Sequence, residues 1–264
     1  MISQLMRRLF PAPTAEGPVR ERLSAAQWPA VVYAVGDAHG CRDELVQLES
    51  LIAADAAPLS GEKWLVMLGD YVDRGPRSAA VLDRLCGPPP AGFRRICLAG
   101  NHEVMMLGFL AAPDAGADWL KFGGIETLTS YGIDVAAFLR ARPHARRQVL
   151  GSHIPPEHIE FLQGLPLSLA LPDTLFVHAG IRPGTRIEAQ SEDDLLWIRE
   201  PFLSHPEPLG LRVVHGHTPV ARPEITPSRI NVDTGAFGTG ILTAVRLAPD
   251  QAPTFLDTRE PALR

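Results

Sequence analysis

Cysteine is scarce in this sequence of 264 residues: Cys41, Cys86 and Cys97 are an odd number with no CxxC spacing. That argues against a disulfide framework or a thiolate metal site, and makes a reduced, cytoplasmic compartment the expectation. Long apolar runs are lacking too, with no stretch of eighteen residues able to span a bilayer. The first 27 residues carry Arg7-Arg8, Pro11, Pro13 and Gly17 but no signal-peptide apolar core. Residues 1–27 read as an N-terminal arm, with a short amphipathic anchor over residues 1–10 as the alternative. Basic excess is missing as well: the net charge is −5 and the pI near 6.0, which leaves no electrostatic footprint for nucleic acid. A soluble protein with no membrane and no nucleic acid among its partners is expected, and nothing in the sequence specifies an oligomeric state.

What the chain does have is apolar content, 45% of its residues, enough for a single domain with one sizeable core over residues 28–264. Its short apolar runs end repeatedly in glycine and a polar residue. Val31-Val32-Tyr33-Ala34-Val35 runs into Gly36-Asp37-Ala38-His39-Gly40, and Trp64-Leu65-Val66-Met67-Leu68 into Gly69-Asp70-Tyr71-Val72-Asp73-Arg74-Gly75. Ile96-Cys97-Leu98-Ala99 runs into Gly100-Asn101-His102-Glu103. Such a run reads as a buried strand that delivers side chains into the crevice at its carboxyl end. Leu175-Phe176-Val177-His178-Ala179-Gly180 and Val213-Val214-His215-Gly216-His217-Thr218 repeat the arrangement. One such junction alone would be a turn or a helix cap. Five in one chain point to a shared polar site.

The amphipathic spacing over 42–52 and the segment 78–85 behind Pro76 predict helices between the first strands, the βαβ rhythm of an α/β fold. Residues 104–172 carry no ligand-type motif and read as mostly helical. There Trp119, Phe122 and Tyr131 read as core, with a substrate groove as the alternative. Arg140, Arg142, Arg146 and Arg147 around His144 read as a solvated helix face. Short strands over 175–177, 212–214, 230–232 and 242–246 suit a second sheet packed on the first.

Asp37, His39, Asp70 and Asn101 offer carboxylate, imidazole and amide oxygen, a donor set suited to manganese, iron or zinc. With the later histidines the donors exceed what one ion needs, and a carboxylate such as Asp70 can bridge two ions about 3.5 to 4 Å apart. In motif and order the sequence resembles the calcineurin-like metallophosphoesterases, and within them the phosphoprotein phosphatase group. GDxHG stands at 36–40, GDxVDRG at 69–75 and GNHE at 100–103, followed by His178-Ala179-Gly180 and Gly216-His217-Thr218. The resemblance spans roughly residues 31–247 and leans toward the compact bacterial and phage serine/threonine phosphatases, which share Leu195-Leu196-Trp197-Ile198-Arg199 and Asn231-Val232-Asp233-Thr234-Gly235. The SAPNY-type loop of the large eukaryotic enzymes is absent.

This resemblance implies an α/β four-layer sandwich of two mixed β-sheets flanked by helices, with a dinuclear metal site at the strand ends. It implies one divalent ion on Asp37, His39 and Asp70 and a second on Asp70, Asn101, His178 and His217, manganese first, with iron or zinc as alternatives. A hydroxide held between the ions would attack phosphorus in line, without a phosphoenzyme. His102 is similar to the histidine that protonates the leaving oxygen, with Asp73 holding it. Arg74 and Arg199 resemble two clamps on phosphate oxygens, although a surface salt bridge to Glu192 or Glu200 is the other reading of Arg199.

The implied activity is hydrolysis of phosphate monoesters in a phosphorylated protein or peptide, phosphoserine or phosphothreonine first and phosphotyrosine after them. A bis(5'-nucleosyl)-tetraphosphatase on the same scaffold is the alternative, against which stand Asp73-Arg74 and His217-Thr218-Pro219, features such enzymes usually lack. A non-catalytic phosphate-binding scaffold would have lost ligands, and none is missing. His144, His153, His158 and His205 read as surface, and His215 as support for His217 from the same strand face.

Overall fold

The computed structural model describes residues 20–206 and 208–259. Of the expected arm, residues 1–19, with the anchor alternative at 1–10, lie outside them. The rest of the arm is docked. Strand β1 (Arg22–Ser24) pairs in parallel with β5 (Ser168–Leu171), Arg22 opposite Ser168, and Arg20 donates to the carbonyls of Leu162 and Leu165 at 3.0 Å. Three residues are too short to show a period, so only their pairing marks them as a strand.

Strands β2 (Val31–Val35), β3 (Lys63–Met67) and β4 (Phe93–Cys97) lie side by side and parallel. Val35 stands level with Met67, and Met67 with Cys97, so the three glycine-led loops leave the sheet along one edge. The second sheet holds β6 (Thr174–Val177), β7 (Arg212–His215), β8 (Glu224–Ile225) and β9 (Arg229–Asn231) in the order β1-β5-β6-β7-β9-β8. There β6, β7 and β9 are again parallel neighbours, and their carboxyl ends carry His178, His217 and Asp233.

Two strand assignments change. Strand β10 (Thr243–Leu247), expected in the second sheet, runs antiparallel to β2 and carries β11 (Thr254–Asp257) on its outer edge. Its apolar pattern defines a strand but not a partner. Strand β5 lies inside the segment read as helical, because four residues of Ser-Leu-Ala-Leu suit either period.

Alternation along β2 explains the layers. Val32 and Ala34 join Trp64, Val66, Ile96 and Leu98 against Leu169, Phe176, Val214 and Ile230 of the facing sheet. Val31, Tyr33 and Val35 point the other way, toward Leu45, Leu48 and Ile52 of helix α1 (Arg42–Ala56). With both faces covered, all five residues are buried, and a fully buried Val, Ile, Leu or Phe contributes about 1.5–3 kcal/mol. Helix α2 (Ser78–Cys86) follows the second ligand loop, and α3 (Asn101–Ala111) begins inside the third. Then α4 (Gly124–Ser130), α5 (Val135–Arg140), α6 (Pro143–His153) and α7 (Pro156–Gln163) form the helical excursion, and α8 (Glu192–Trp197) precedes β7. None of the described helices is long and apolar enough to cross a membrane.

Two polar residues of the excursion are not where the sequence suggested. Arg146 is buried and donates to the carbonyls of Pro113, Phe138 and Leu139 at 3.1–3.3 Å, capping backbone rather than facing water. His158 is buried between Tyr131, at 2.8 Å, and Asp83, at 3.1 Å. Its partners come from distant elements, so no local pattern could reveal it.

Candidate metal centre

The ligand loops carry most of the unusual backbone. Six described non-glycine residues have positive φ, and five are His39 (38°), Asp70 (53°), Asp73 (72°), Arg74 (67°) and His217 (66°). Each such conformation costs on the order of 1–3 kcal/mol, so strain is concentrated where these side chains are aimed. The intervening glycines permit close approach. A Cβ on Gly100 would stand 2.2 Å from Asp70 Oδ1, and one on Gly216 2.1 Å from Asp37 Oδ1.

All six residues expected to hold metal are buried at this edge: Asp37, His39, Asp70, Asn101, His178 and His217. His39 Nδ1 lies 2.8 Å from the Val72 carbonyl and His178 Nδ1 2.9 Å from that of Leu68, contacts that fix the proton on Nδ1 and leave the Nε2 lone pair facing inward. Those two Nε2 atoms each stand 3.4 Å from an oxygen of Asp70. Asn101 Oδ1 lies 2.8 Å from His178 Nε2 and 3.0 Å from His217 Nδ1, while His217 Nε2 is buried with no partner. The inward lone pairs of His39, His178, Asn101 and Asp70, brought this close together, are what a cation would reconcile. Among the described residues, two groups of histidine and carboxylate have donor atoms within 4.8 Å of one another, His39-Asp70-His102 and Asp70-His178-His217, and Asp37 is in neither. Asp70 belongs to both.

Protonation fits the same reading. Burial lowers His39 to about 3 and takes His217 well below its ordinary value; it lowers His178 as well, so all three are held as the neutral imidazole that binds metals. Burial, then Asp233 and Asp70, push Asp37 well above the usual carboxylate range. Burial also opposes ionisation of Asp70, whereas positive charge on the imidazoles around it would favour it.

His102 is the exception. Burial lowers its pKa, but Asp70 and then Asp73 outweigh burial and raise it. Its Nδ1 lies 2.6 Å from Asp73 Oδ2 and its Nε2 3.1 Å from Arg74 Nη2, so both nitrogens are engaged, and its backbone N–H donates to Asp70 Oδ1 at 3.1 Å. Asp73, fully buried, also accepts from Trp119 Nε1 and Thr127 Oγ1, both at 2.7 Å. Arg199 is exposed and forms no ion pair with Glu192 or Glu200: Glu192 pairs with Arg20, and Glu200 with Ser204. Partial desolvation lowers the Arg199 pKa, then the charge of Arg74, while Asp233 and Asp70 raise it. His215 does not support His217. Its ring packs 5.0 Å from Phe202, and the strand ends at His215, with His217 itself in a left-handed conformation (φ 66°) that breaks the alternation.

Several residues of the site escaped the sequence reading. Glu103 accepts backbone N–H groups from Asp70, Tyr71, Val72 and Gly100 at 2.7–3.3 Å, tying two ligand loops together. Trp119 and Thr127, from the segment without motifs, hold Asp73; Trp119 is both core and site. Asp233, beside Asp37, is raised to about 6 by burial, with its Oδ1 accepting from Gly235 N at 2.9 Å. The GNHE motif was a signal for Glu103; Trp119 and Thr127 had none.

Comparison with known proteins agrees with this geometry. The chain is 27% identical over 247 residues to the bis(5'-nucleosyl)-tetraphosphatase PrpE [asymmetrical] of Bacillus velezensis, covering 86% of this chain and 92% of the relative. It shares its fold with the cold-active protein-tyrosine phosphatase of a psychrophilic Shewanella, at a TM-score of 0.55, 20% identity and coverage of 90% and 82%. A protein serine/threonine phosphatase from Saccharomyces cerevisiae is similar at a TM-score of 0.54 and 15% identity, with the same coverage, 90% and 82%. The model of the calcineurin-like phosphoesterases matches residues 30–238, and the chain belongs to that family of metal-dependent hydrolases.

Proposed function

We infer that this chain hydrolyses phosphate monoesters in phosphorylated proteins or peptides, with phosphoserine and phosphothreonine as the first substrates. The observation that carries the reading is His102, the one histidine of the cluster whose pKa is raised, fixed by a buried Asp73 at 2.6 Å. An imidazole made more basic by a carboxylate partner can take up a proton at Nε2 and pass it to an alkoxide leaving group, which needs one, whereas a phosphoanhydride does not. Arg74 presents a planar fork to phosphate oxygens, and Arg199 adds a second charge from the rim. In this proposal Asp37, His39 and Asp70 hold one divalent ion, and Asp70, Asn101, His178 and His217 the other, with manganese preferred over iron or zinc for the mixed oxygen and nitrogen donors. Bound ions supply Lewis-acid charge at the phosphoryl group and acidify the attacking water. Glu103 keeps the Asp70 and Asn101 loops in register.

The second reading, hydrolysis of a dinucleoside tetraphosphate, is favoured by the name of the Bacillus velezensis relative. A turnover panel on the manganese-loaded protein separates the two. Phosphoserine peptide is expected to exceed diadenosine tetraphosphate in kcat/KM. A tenfold preference for the dinucleotide, about 1.4 kcal/mol in transition-state binding, would make the second reading the correct one.

A further inference from the structure

Phe237 is a large apolar side chain left 43% exposed, a condition shared among the described residues only by Ile125 and Ile225. It stands in α9 (Ala236–Thr239), a short turn between two left-handed glycines, Gly235 (φ 64°) and Gly240 (φ 69°). Thr239 Oγ1 ties the turn down by donating to the carbonyls of Thr234 and Gly235 at 2.9 and 3.0 Å. The ring is thereby fixed in the wall of the metal centre. Its centroid lies 5.5 Å from that of His39, nearly perpendicular at 88°, and the Arg74 guanidinium carbon lies 4.9 Å from it. His39 is already oriented by the Val72 carbonyl and does not need the ring. A phenyl group here can steady Arg74 through a cation–π contact, or form an apolar wall for whatever is attached to the phosphate. Its exposure favours the wall, since a ring serving Arg74 alone gains nothing by standing in water.

We propose that Phe237 is a specificity-determining residue that admits phosphotyrosine beside the phosphoserine and phosphothreonine substrates, by binding the aromatic ring of an aryl phosphate. The proposal rests on the phosphatase reading above, with Arg74 on the phosphate. Spacing selects an aryl ester over a nucleotide. Phe237 stands against the phosphate clamp, 4.9 Å from the Arg74 guanidinium carbon, so a group seated on it is the first one beyond the phosphoryl oxygen. In a tyrosine ester the ring is bonded to that oxygen, whereas a nucleobase is separated from its nearest phosphate by a ribose. Ring-on-ring packing of this kind adds binding energy away from the reacting bonds, so it enters KM and not kcat.

The test compares peptides of one sequence carrying phosphotyrosine or phosphoserine, and phenyl phosphate against glycerol 2-phosphate. Manganese-loaded wild type, Phe237→Leu and Phe237→Tyr are assayed side by side. Phe237→Leu is expected to raise KM for the two aryl esters about tenfold, the order of one aromatic contact, and to leave the alkyl esters within about twofold. Phe237→Tyr, which keeps the ring, should restore the aryl KM. An equal rise on alkyl and aryl esters would mean that the ring only positions Arg74, and would overturn the proposal, as would no change on either. A loss confined to diadenosine tetraphosphate, run in parallel, would assign the ring to a base and overturn it too. Rejection of both peptides by the wild type, with the split intact on the small esters, would remove the protein-substrate reading and leave the aryl contact standing.

Discussion

Replacing Glu103 by Gln changes one atom in a fully buried side chain and should disable the site without touching any proposed ligand. Each carboxylate oxygen accepts from two backbone N–H groups: Oε2 from Asp70 (2.8 Å) and Gly100 (2.9 Å), Oε1 from Tyr71 (2.7 Å) and Val72 (3.3 Å). An amide keeps one acceptor oxygen and turns an NH2 donor toward the other pair. Two buried N–H groups then lose their partner, and each orphaned donor costs about 1–3 kcal/mol, so the variant should lose about 2–6 kcal/mol. That is a large part of the roughly 5–15 kcal/mol that holds a domain folded. Urea unfolding of the metal-stripped protein measures the loss, and metal titration of the folded fraction should show weakened binding, because the loop that carries Asp70 loses part of its anchor whichever way the amide turns. At pH 8.5, above the value of about 7 to which burial and then Asp70 raise Glu103, a Glu103→Gln protein that unfolds at the wild-type midpoint and binds metal normally would refute the argument that an anion holds the two loops.

Two further predictions follow the proposed division of labour. Asp70→Asn should abolish turnover and lower the metal content measured by elemental analysis, because a neutral amide cannot offset two dications; full activity with both ions retained would remove the bridging role. His102→Asn should lose roughly 10² to 10⁴ in kcat toward a phosphoserine peptide, much less toward p-nitrophenyl phosphate with its weakly basic leaving group, and no metal. Equal losses on both substrates would count against His102 as proton donor.

The sequence by itself determined the strand ends and what they carry. A buried strand must be apolar, and a glycine must follow wherever backbone turns sharply against a neighbouring loop, so Gly36-Asp37, Gly69-Asp70 and Gly100-Asn101 announce themselves locally. The parallel order of β2, β3 and β4 follows from the helices between them. What the sequence could not decide were contacts between residues far apart in the chain. Strand β10 joins the first sheet and β1 joins β5 because ladder partners are chosen in space. Trp119 and Thr127 reach Asp73 across 46 and 54 residues, and a tryptophan that donates to a buried carboxylate has the same local pattern as one that only fills the core. Tertiary structure also decided the electrostatics. Imidazoles with the same intrinsic chemistry are pushed down at His39, His178 and His217 and up at His102, since burial acts on all four but a hydrogen-bonded carboxylate partner, Asp73, belongs to His102 alone among them.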